Sequence, residues 1–213
     1  MPVMSTVEQA WCRSLPWRQF TRRVVFPWAI GSVELRGDVL ELGSGSGAMA
    51  AELLKRYPAI RLTATDVDPA MRAAATRRLE PFGARVQVQD ADATHLPFDD
   101  ASFDGVISFI MLHHVIDWED ALAEVARVLR PGGIVAGYDL MRSGPNRLVH
   151  RLDRSPHRMA SPDDLRARLT ELQLADVDVR PGLRGTVARF RARRRDDTAS
   201  HLDQEHAIAG SNP

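Results

Sequence analysis

The chain has one cysteine, Cys12, and one lysine, Lys55, in 213 residues. A single cysteine cannot close an intramolecular disulfide or build a cysteine-based structural zinc site, so stability must come from a packed core. A reducing, cytoplasmic setting is expected. Long apolar runs are also missing: nothing approaches the roughly 20 residues of a membrane span, and no apolar segment of signal-peptide length follows the first charged residues. The chain therefore reads as soluble, with no membrane partner. An excess of either charge is absent, with 28 Lys plus Arg against 28 Asp plus Glu. No global field pulls it toward nucleic acid or an acidic membrane surface, so charged patches must be argued locally. No internal repeat is visible, and no carboxylate and histidine cluster has convincing metal-ligand geometry.

What is present is a regular alternation. A chain of this length holds one sizeable domain. Short runs rich in Val, Ile and Leu at 38–42, 60–65, 85–89, 104–109 and 133–139 read as strands, with helical segments between them. A helix opens at Ser46 or Gly47 and runs through Met49, Leu53 and Leu54, with Lys55 and Arg56 in its last turn and Pro58 beyond. Asp68-Pro69 is an N-cap followed by proline at the first helical position. A third helix starts at Asp117, presents Trp118, Leu122, Val125 and Leu129 on one face, and stops at Arg130-Pro131-Gly132-Gly133. Ser161-Pro162-Asp163-Asp164 caps a fourth helix carrying Leu165, Leu169 and Leu172. Two further strands are expected at about 175–180 and 185–193. The fold class is α/β, a Rossmann-like, mostly parallel seven-stranded sheet with helices on both faces.

The most informative stretch is Val39-Leu40-Glu41-Leu42-Gly43-Ser44-Gly45-Ser46-Gly47. An apolar strand ends in an acid and then bends through three glycines, which allow positive φ and leave no Cβ between backbone and ligand. Asp66 ends the next strand, where a ribose diol expects a carboxylate. Further on come Asp92-Ala93-Thr94-His95-Leu96-Pro97-Phe98, Ser102-Phe103-Asp104, and Val128-Leu129-Arg130-Pro131-Gly132-Gly133.

In this order and at these separations, the segments make residues 36–142 resemble a class I S-adenosylmethionine-dependent methyltransferase, in particular the ubiquinone and menaquinone biosynthesis group. The resemblance implies S-adenosylmethionine as cofactor. It implies Glu41, Gly43, Ser44, Gly45 and Gly47 beside the amino-acid portion, Asp66 on the ribose hydroxyls and Val67 against the adenine. Asp92 and Ala93 would meet the adenine edge, with Ser108 and Phe109 on the transfer side. It also implies that one of the two late strands is antiparallel. Each residue has a plainer reading as well: the glycines can simply turn a loop, and Asp66 or Asp92 can cap a turn.

The implied activity is methyl transfer to oxygen or carbon of a small-molecule acceptor, achieved mainly by holding the reactants in line. His113-His114, just after strand four, is the candidate base pair, and loop ordering is the alternative role for it. Tyr138 and Asp139, at the end of strand five, are weaker candidates and read better as local hydrogen-bond partners. Nitrogen acceptors of the exocyclic or amide kind are disfavoured. Methyltransferases acting on them carry Asn/Asp-Pro-Pro-Tyr where this chain has Ser108-Phe109-Ile110-Met111. Competing readings are a nicotinamide-dependent Rossmann oxidoreductase, an RNA methyltransferase and a cofactor-binding protein without catalysis. The first is disfavoured because the third glycine falls one residue early for G-x-G-x-x-G, with Ala48 in its place.

The domain is divided as an aromatic-rich helical cap (1–36), a cofactor-binding core (37–142) and substrate-side and C-terminal strands (143–195), followed by a disordered tail (196–213). Trp11, Trp17, Phe20, Phe26 and Trp28 in the cap either wall the acceptor site or pack a helix on the sheet. Arg147, Arg151, Arg154 and Arg158 would share one helical face, which suits an anionic acceptor or a merely solvated surface. Arg189, Arg191 and Arg193 share a strand face and invite an RNA reading, although Asp196-Asp197 offsets the run and no recognition module accompanies it. Oligomeric state is left open.

Overall fold

A computed structural model of the chain describes residues 19, 21–31, 33–144, 146 and 157–196. Trp11, Trp17, Phe20, Arg147, Arg151, Arg154 and the tail from Asp197 lie outside the described residues. A π-helical turn, Thr21–Val25, leads into α1, Phe26–Ile30. The order continues with β1 (Gly37–Leu42), α2 (Ala48–Arg56), β2 (Ile60–Thr65), α3 (Pro69–Leu79) and β3 (Val86–Gln89). Then come β4 (Phe103–Phe109), α4 (Trp118–Val128), β5 (Leu129–Leu140), α5 (Pro162–Glu171), β6 (Ala175–Gly182) and β7 (Val187–Arg193).

The seven strands form one sheet in the order β3-β2-β1-β4-β5-β7-β6. Neighbours from β3 to β5 are parallel, whereas β7 runs antiparallel to both β5 and β6. The expected architecture is thus what the chain adopts, including its single antiparallel strand. Because the chain winds outward from β1 to β3 and then returns to place β4 on the other side of β1, the order reverses between β1 and β4. In open α/β sheets that switch point, at the carboxyl ends of the strands, is where ligands bind.

Strand alternation divides the core in two. Leu40, Leu42, Val106 and Val135 face α4 and α5, while Val39, Leu62, Ile107 and Ala136 face α1, α2 and α3. Residues one step apart in a strand point to opposite faces, which is why nearly continuous apolar runs were needed to cover both sides. Local signals hold the helices as read. Asp68 Oδ1 accepts from the N–H groups of Ala70 at 2.8 Å and Met71 at 3.4 Å. Ser161 and Asp164 form a reciprocal capping box, with bonds of 3.1 and 2.9 Å.

One boundary differs from the sequence reading. The third long helix ends at Val128, not at Arg130, and Leu129 is the first residue of β5 with an extended backbone. Pro131 disfavours helical geometry at Arg130. Arg130 is also drawn to the foot of the sheet, where its Nη1 lies 2.6 Å from Asp104 Oδ2. Among the described residues no helix is long and apolar enough to cross a membrane.

Candidate functional site

The loop after β1 is shaped by three left-handed glycines, Gly43 (φ 61°), Gly45 (φ 53°) and Gly47 (φ 74°). They differ in what surrounds them. A Cβ on Gly43 would collide with the Met111 side chain, and one on Gly47 would press on Ala75 of α3. At Gly45 a Cβ would meet nothing within 4 Å among the described residues, so packing against them does not account for its smallness. The loop is pinned from β2: Ser44 N–H donates to Thr65 O at 2.8 Å, and Gly45 N–H to Asp66 Oδ2 at 2.8 Å. Asp66 Oδ1 accepts from Asp68 N–H at 2.9 Å. Asp66 therefore joins the glycine bend to the start of α3 while keeping lone pairs on both oxygens.

Glu41 is fully buried at the end of β1, and Glu41 Oε2, Ser44 Oγ and Ser108 Oγ make no hydrogen bond among the described residues. Leu42, next to Glu41, is in register with Ser108 of β4, so two of these atoms come from adjacent strands at the switch point and the third from the loop between β1 and α2. Each unsatisfied buried polar atom costs about 1–3 kcal/mol. Burial, with the Asp66 charge as a second cause, pushes the Glu41 carboxyl up to about 8. Burial likewise raises Asp66, against the opposing donors of Asp68 and Gly45.

The third wall is the loop between β3 and β4. Asp92 Oδ1 accepts from Thr94 N–H at 2.9 Å and from Thr94 Oγ1 at 2.7 Å, and Ala93 is buried. The rest of that loop is clamped from α4. Glu124 accepts from Leu96 N–H at 2.7 Å, and Arg127 donates to Phe98 O at 2.7 Å and Leu96 O at 3.0 Å. Val67 is half-buried beside Asp66, and Phe109 packs against Phe26 and Tyr138 with ring centroids 6.3 and 5.6 Å apart.

The segment after β4 is held by a buried carboxylate. Asp139 Oδ2 accepts from Met111 N–H at 2.9 Å and Leu112 N–H at 2.6 Å, while Oδ1 lies 2.5 Å from His113 Nδ1 and accepts from Leu140 N–H at 2.6 Å. Burial favours the neutral acid, but His113 and the Leu140 N–H outweigh it and hold Asp139 below the usual carboxylate range. This grip sustains an unusual backbone: Ile110, β-branched, sits at φ 48°, a left-handed conformation costing such a residue about 1–2 kcal/mol. His114 is buried and stacks on His113, centroids 4.0 Å apart. The cavity lined by His113, Asp139 and Trp118 is only about 10 Å³, room for roughly one water.

The structure therefore brings Glu41, Gly43, Ser44, Gly45, Gly47, Asp66, Val67, Asp92, Ala93, Ser108 and Phe109 to the carboxyl edge of β1, β2, β3 and β4. One contributor was missed by sequence reasoning: Met111 closes over Gly43. Asp139, read from the sequence as a hydrogen-bond partner at the end of β5, anchors the loop of a residue 26 positions earlier, His113. The arginine patches fare differently. Arg158 is engaged by Glu119, Nη2 to Oε1 at 2.6 Å, and lies over the Trp118 ring, so it is not a free cation. Phe26 and Trp28 pack α1 onto Phe109 and Tyr138, as the plainer reading of the aromatic cap expected. Among the described residues no cluster could hold a metal ion.

Residues 40–137 match the family model described as a methyltransferase domain. Among similar proteins, a demethylmenaquinone methyltransferase of Thermus thermophilus is 37% identical over 116 residues, covering 54% of this chain and 53% of the relative. An O-methyltransferase of Penicillium expansum is 40% identical over 111 residues, 50% of this chain and 39% of the relative. The chain thus spans about half or less of the length of these curated relatives. In solved structures, a methyltransferase bound to the Haloferax volcanii Trm112 activator superposes with a TM-score of 0.73 at 20% identity, covering 91% of this chain and 99% of that one.

Proposed function

We propose that the chain, whose residues 40–137 match a methyltransferase domain, transfers the methyl group of S-adenosylmethionine to carbon or oxygen of a small-molecule acceptor. The observation that carries this reading is the set of unpartnered buried atoms Glu41 Oε2, Ser44 Oγ and Ser108 Oγ around a glycine bend with open space at Gly45. Such atoms are costly unless a ligand satisfies them, and an amino-acid group can do so: its ammonium donates to the carboxyl and hydroxyl oxygens, and its carboxylate accepts from hydroxyl O–H groups.

The roles follow from the geometry. Glu41, with Ser44 and Ser108, would take the amino-acid end. Asp66 would use its remaining lone pairs on ribose hydroxyls, which needs no rearrangement because its backbone donors already fix the carboxylate. Asp92, Ala93 and Val67 would frame the adenine. When bound, S-adenosylmethionine supplies an electrophilic methyl on a sulfonium, so the protein's task is positioning and exclusion of water more than proton transfer. Met111 and Ile110 form the wall at the end of β4, and their placement depends on Asp139. His113 serves as a positioning residue: its Nδ1 is committed to Asp139, the carboxylate that holds the Met111 and Leu112 N–H groups. His114 orders the same loop by stacking.

Glu41 adds a pH signature. With its carboxyl raised to about 8, the free protein holds that proton at pH 7, and a cation delivered to Oε2 displaces it. Transfer of a labelled methyl group from S-adenosylmethionine into a small-molecule metabolite extract tests the proposal. Label in low-molecular-weight products supports it. Donor binding without transfer to any metabolite would replace it with a non-catalytic role.

A further inference from the structure

A second cavity, of about 230 Å³, opens away from the glycine bend, where the end of α1 meets the β6–β7 hairpin. Its floor is apolar, from Ala29, Ile30 and Val33, and its wall is charged. In the antiparallel register of this hairpin Arg180 stands directly opposite Arg189, and Asp178 opposite Arg191. Residues paired this way share a face with their side chains close together, and two like charges directly opposite each other are destabilising. The pairing Arg180–Arg189 is thus an unfavourable placement for a strand pair with no further partner.

Three guanidinium groups meet one carboxylate here, and it contacts two of them. Asp178 accepts from Arg180 Nε at 2.8 Å and lies 3.3 Å from Arg191 Nε. Arg189 donates through Nη1 to Trp28 O at 3.0 Å and lies over the Trp28 ring. The wall is left with a surplus of two positive charges. The Nη groups of Arg180 and Arg191 make no hydrogen bond among the described residues. Guanidinium Nη pairs are matched to the paired oxygens of phosphate and carboxylate.

We infer that this cavity binds the phosphoryl group of a small molecule, its oxygens held by Arg180 and Arg191 with Arg189 behind them. A multiply charged tetrahedral anion would cancel the surplus and relieve the Arg180–Arg189 opposition in one step. A polynucleotide fits the surroundings less well, because the basic row does not continue. Arg193 faces Asp176 at 3.9 Å, and Arg194 turns back onto the Leu129 and Arg127 carbonyls at the end of α4. The inference does not depend on methyl transfer.

The test is calorimetry on the full chain with inorganic phosphate and with pyrophosphate, against acetate at matched ionic strength. Saturable binding of phosphate or pyrophosphate but not acetate is expected. The Arg180→Gln/Arg191→Gln double variant, whose native side chains are 59% and 44% exposed, should keep its anion-free melting transition and lose affinity by about tenfold or more. Asp178→Asn, which removes the competing carboxylate, should shift affinity the other way and tighten binding severalfold. The inference is overturned if neither anion saturates, if affinity survives the double substitution, if Asp178→Asn weakens binding, or if an RNA oligomer binds through these arginines while pyrophosphate does not.

Discussion

The two ends of the same sheet are built on opposite principles. At the amino ends of the strands charges are matched: Asp38 lies 2.7 Å from Arg61 and 3.2 Å from Arg130, and Asp104 takes both Arg130 at 2.6 Å and the Asp38 N–H at 2.7 Å. At the carboxyl ends polar atoms are buried without partners, a carboxyl is pushed up by burial, and Gly43, Gly45, Gly47 and Ile110 sit at positive φ. One end is finished by the protein alone. The other is left incomplete, at a cost that a ligand can offset. The Ser-Phe-Asp and Arg-Pro-Gly-Gly segments that helped to carry the resemblance thus act far from the site: Asp104 and Arg130 fasten the foot of the sheet.

The largest expected effect comes from cutting the one strong anchor at the incomplete end. Asp139→Ala would strand the Met111, Leu112 and Leu140 N–H groups together with His113 in a buried setting. It should cost about 3–5 kcal/mol of stability by urea denaturation and abolish transfer. His113→Asn, which can still donate to Asp139, should instead keep most of the wild-type stability. If it keeps the fold but leaves turnover at zero while donor affinity is normal, His113 is a base and not a positioning residue.

Next in size is the pH behaviour of Glu41. Its folded-state pKa is raised, so the favourable contribution of the neutral acid is complete below about 4.5 and is lost as pH rises through about 8. The ligand-free protein should therefore lose on the order of 3–5 kcal/mol across that window, and Glu41→Gln should remove most of the slope. The same substitution should weaken donor binding by about a hundredfold, since the amide cannot ionise against a cation. A wild-type stability profile that is flat from pH 5 to pH 8 would contradict the assignment.

Gly45→Ala sharpens the contrast on a smaller scale. The left-handed backbone costs alanine about 1 kcal/mol, and no atom of the described residues obstructs the new methyl. Stability measured by thermal melting should fall slightly, while donor affinity falls about tenfold or more because the methyl enters the ligand's space. The smallest effect belongs to the completed end. Arg130→Met removes a partly exposed pair of ion contacts, should cost about 1 kcal/mol or less, and should leave donor affinity within about twofold.

Much of the fold was legible because it is written locally. Strand cores at 60–65 and 104–109, the Asp68-Pro69 cap and the Ser161 capping box depend on residues a few positions apart. The glycine bend and Asp66 were legible for the same reason. What escaped depends on distant partners. The helix stops at Val128 partly because Arg130 reaches Asp104, and His113 is held by Asp139 from another strand. The arginines of β7 read as a free basic face only because Asp176 and Asp178 approach them across a hairpin that sequence spacing does not display. Arg158, likewise, is quenched by Glu119, 39 positions earlier.

The incompleteness of the carboxyl end is tested most directly by titrating the chain with S-adenosylhomocysteine at pH 7 in two buffers of different ionisation enthalpy. Saturable binding with release of close to one proton, abolished in Glu41→Gln, is the expected result. No binding heat in either buffer, or binding that is indifferent to both Glu41→Gln and Asp66→Asn, would show that these unpartnered atoms do not hold the donor.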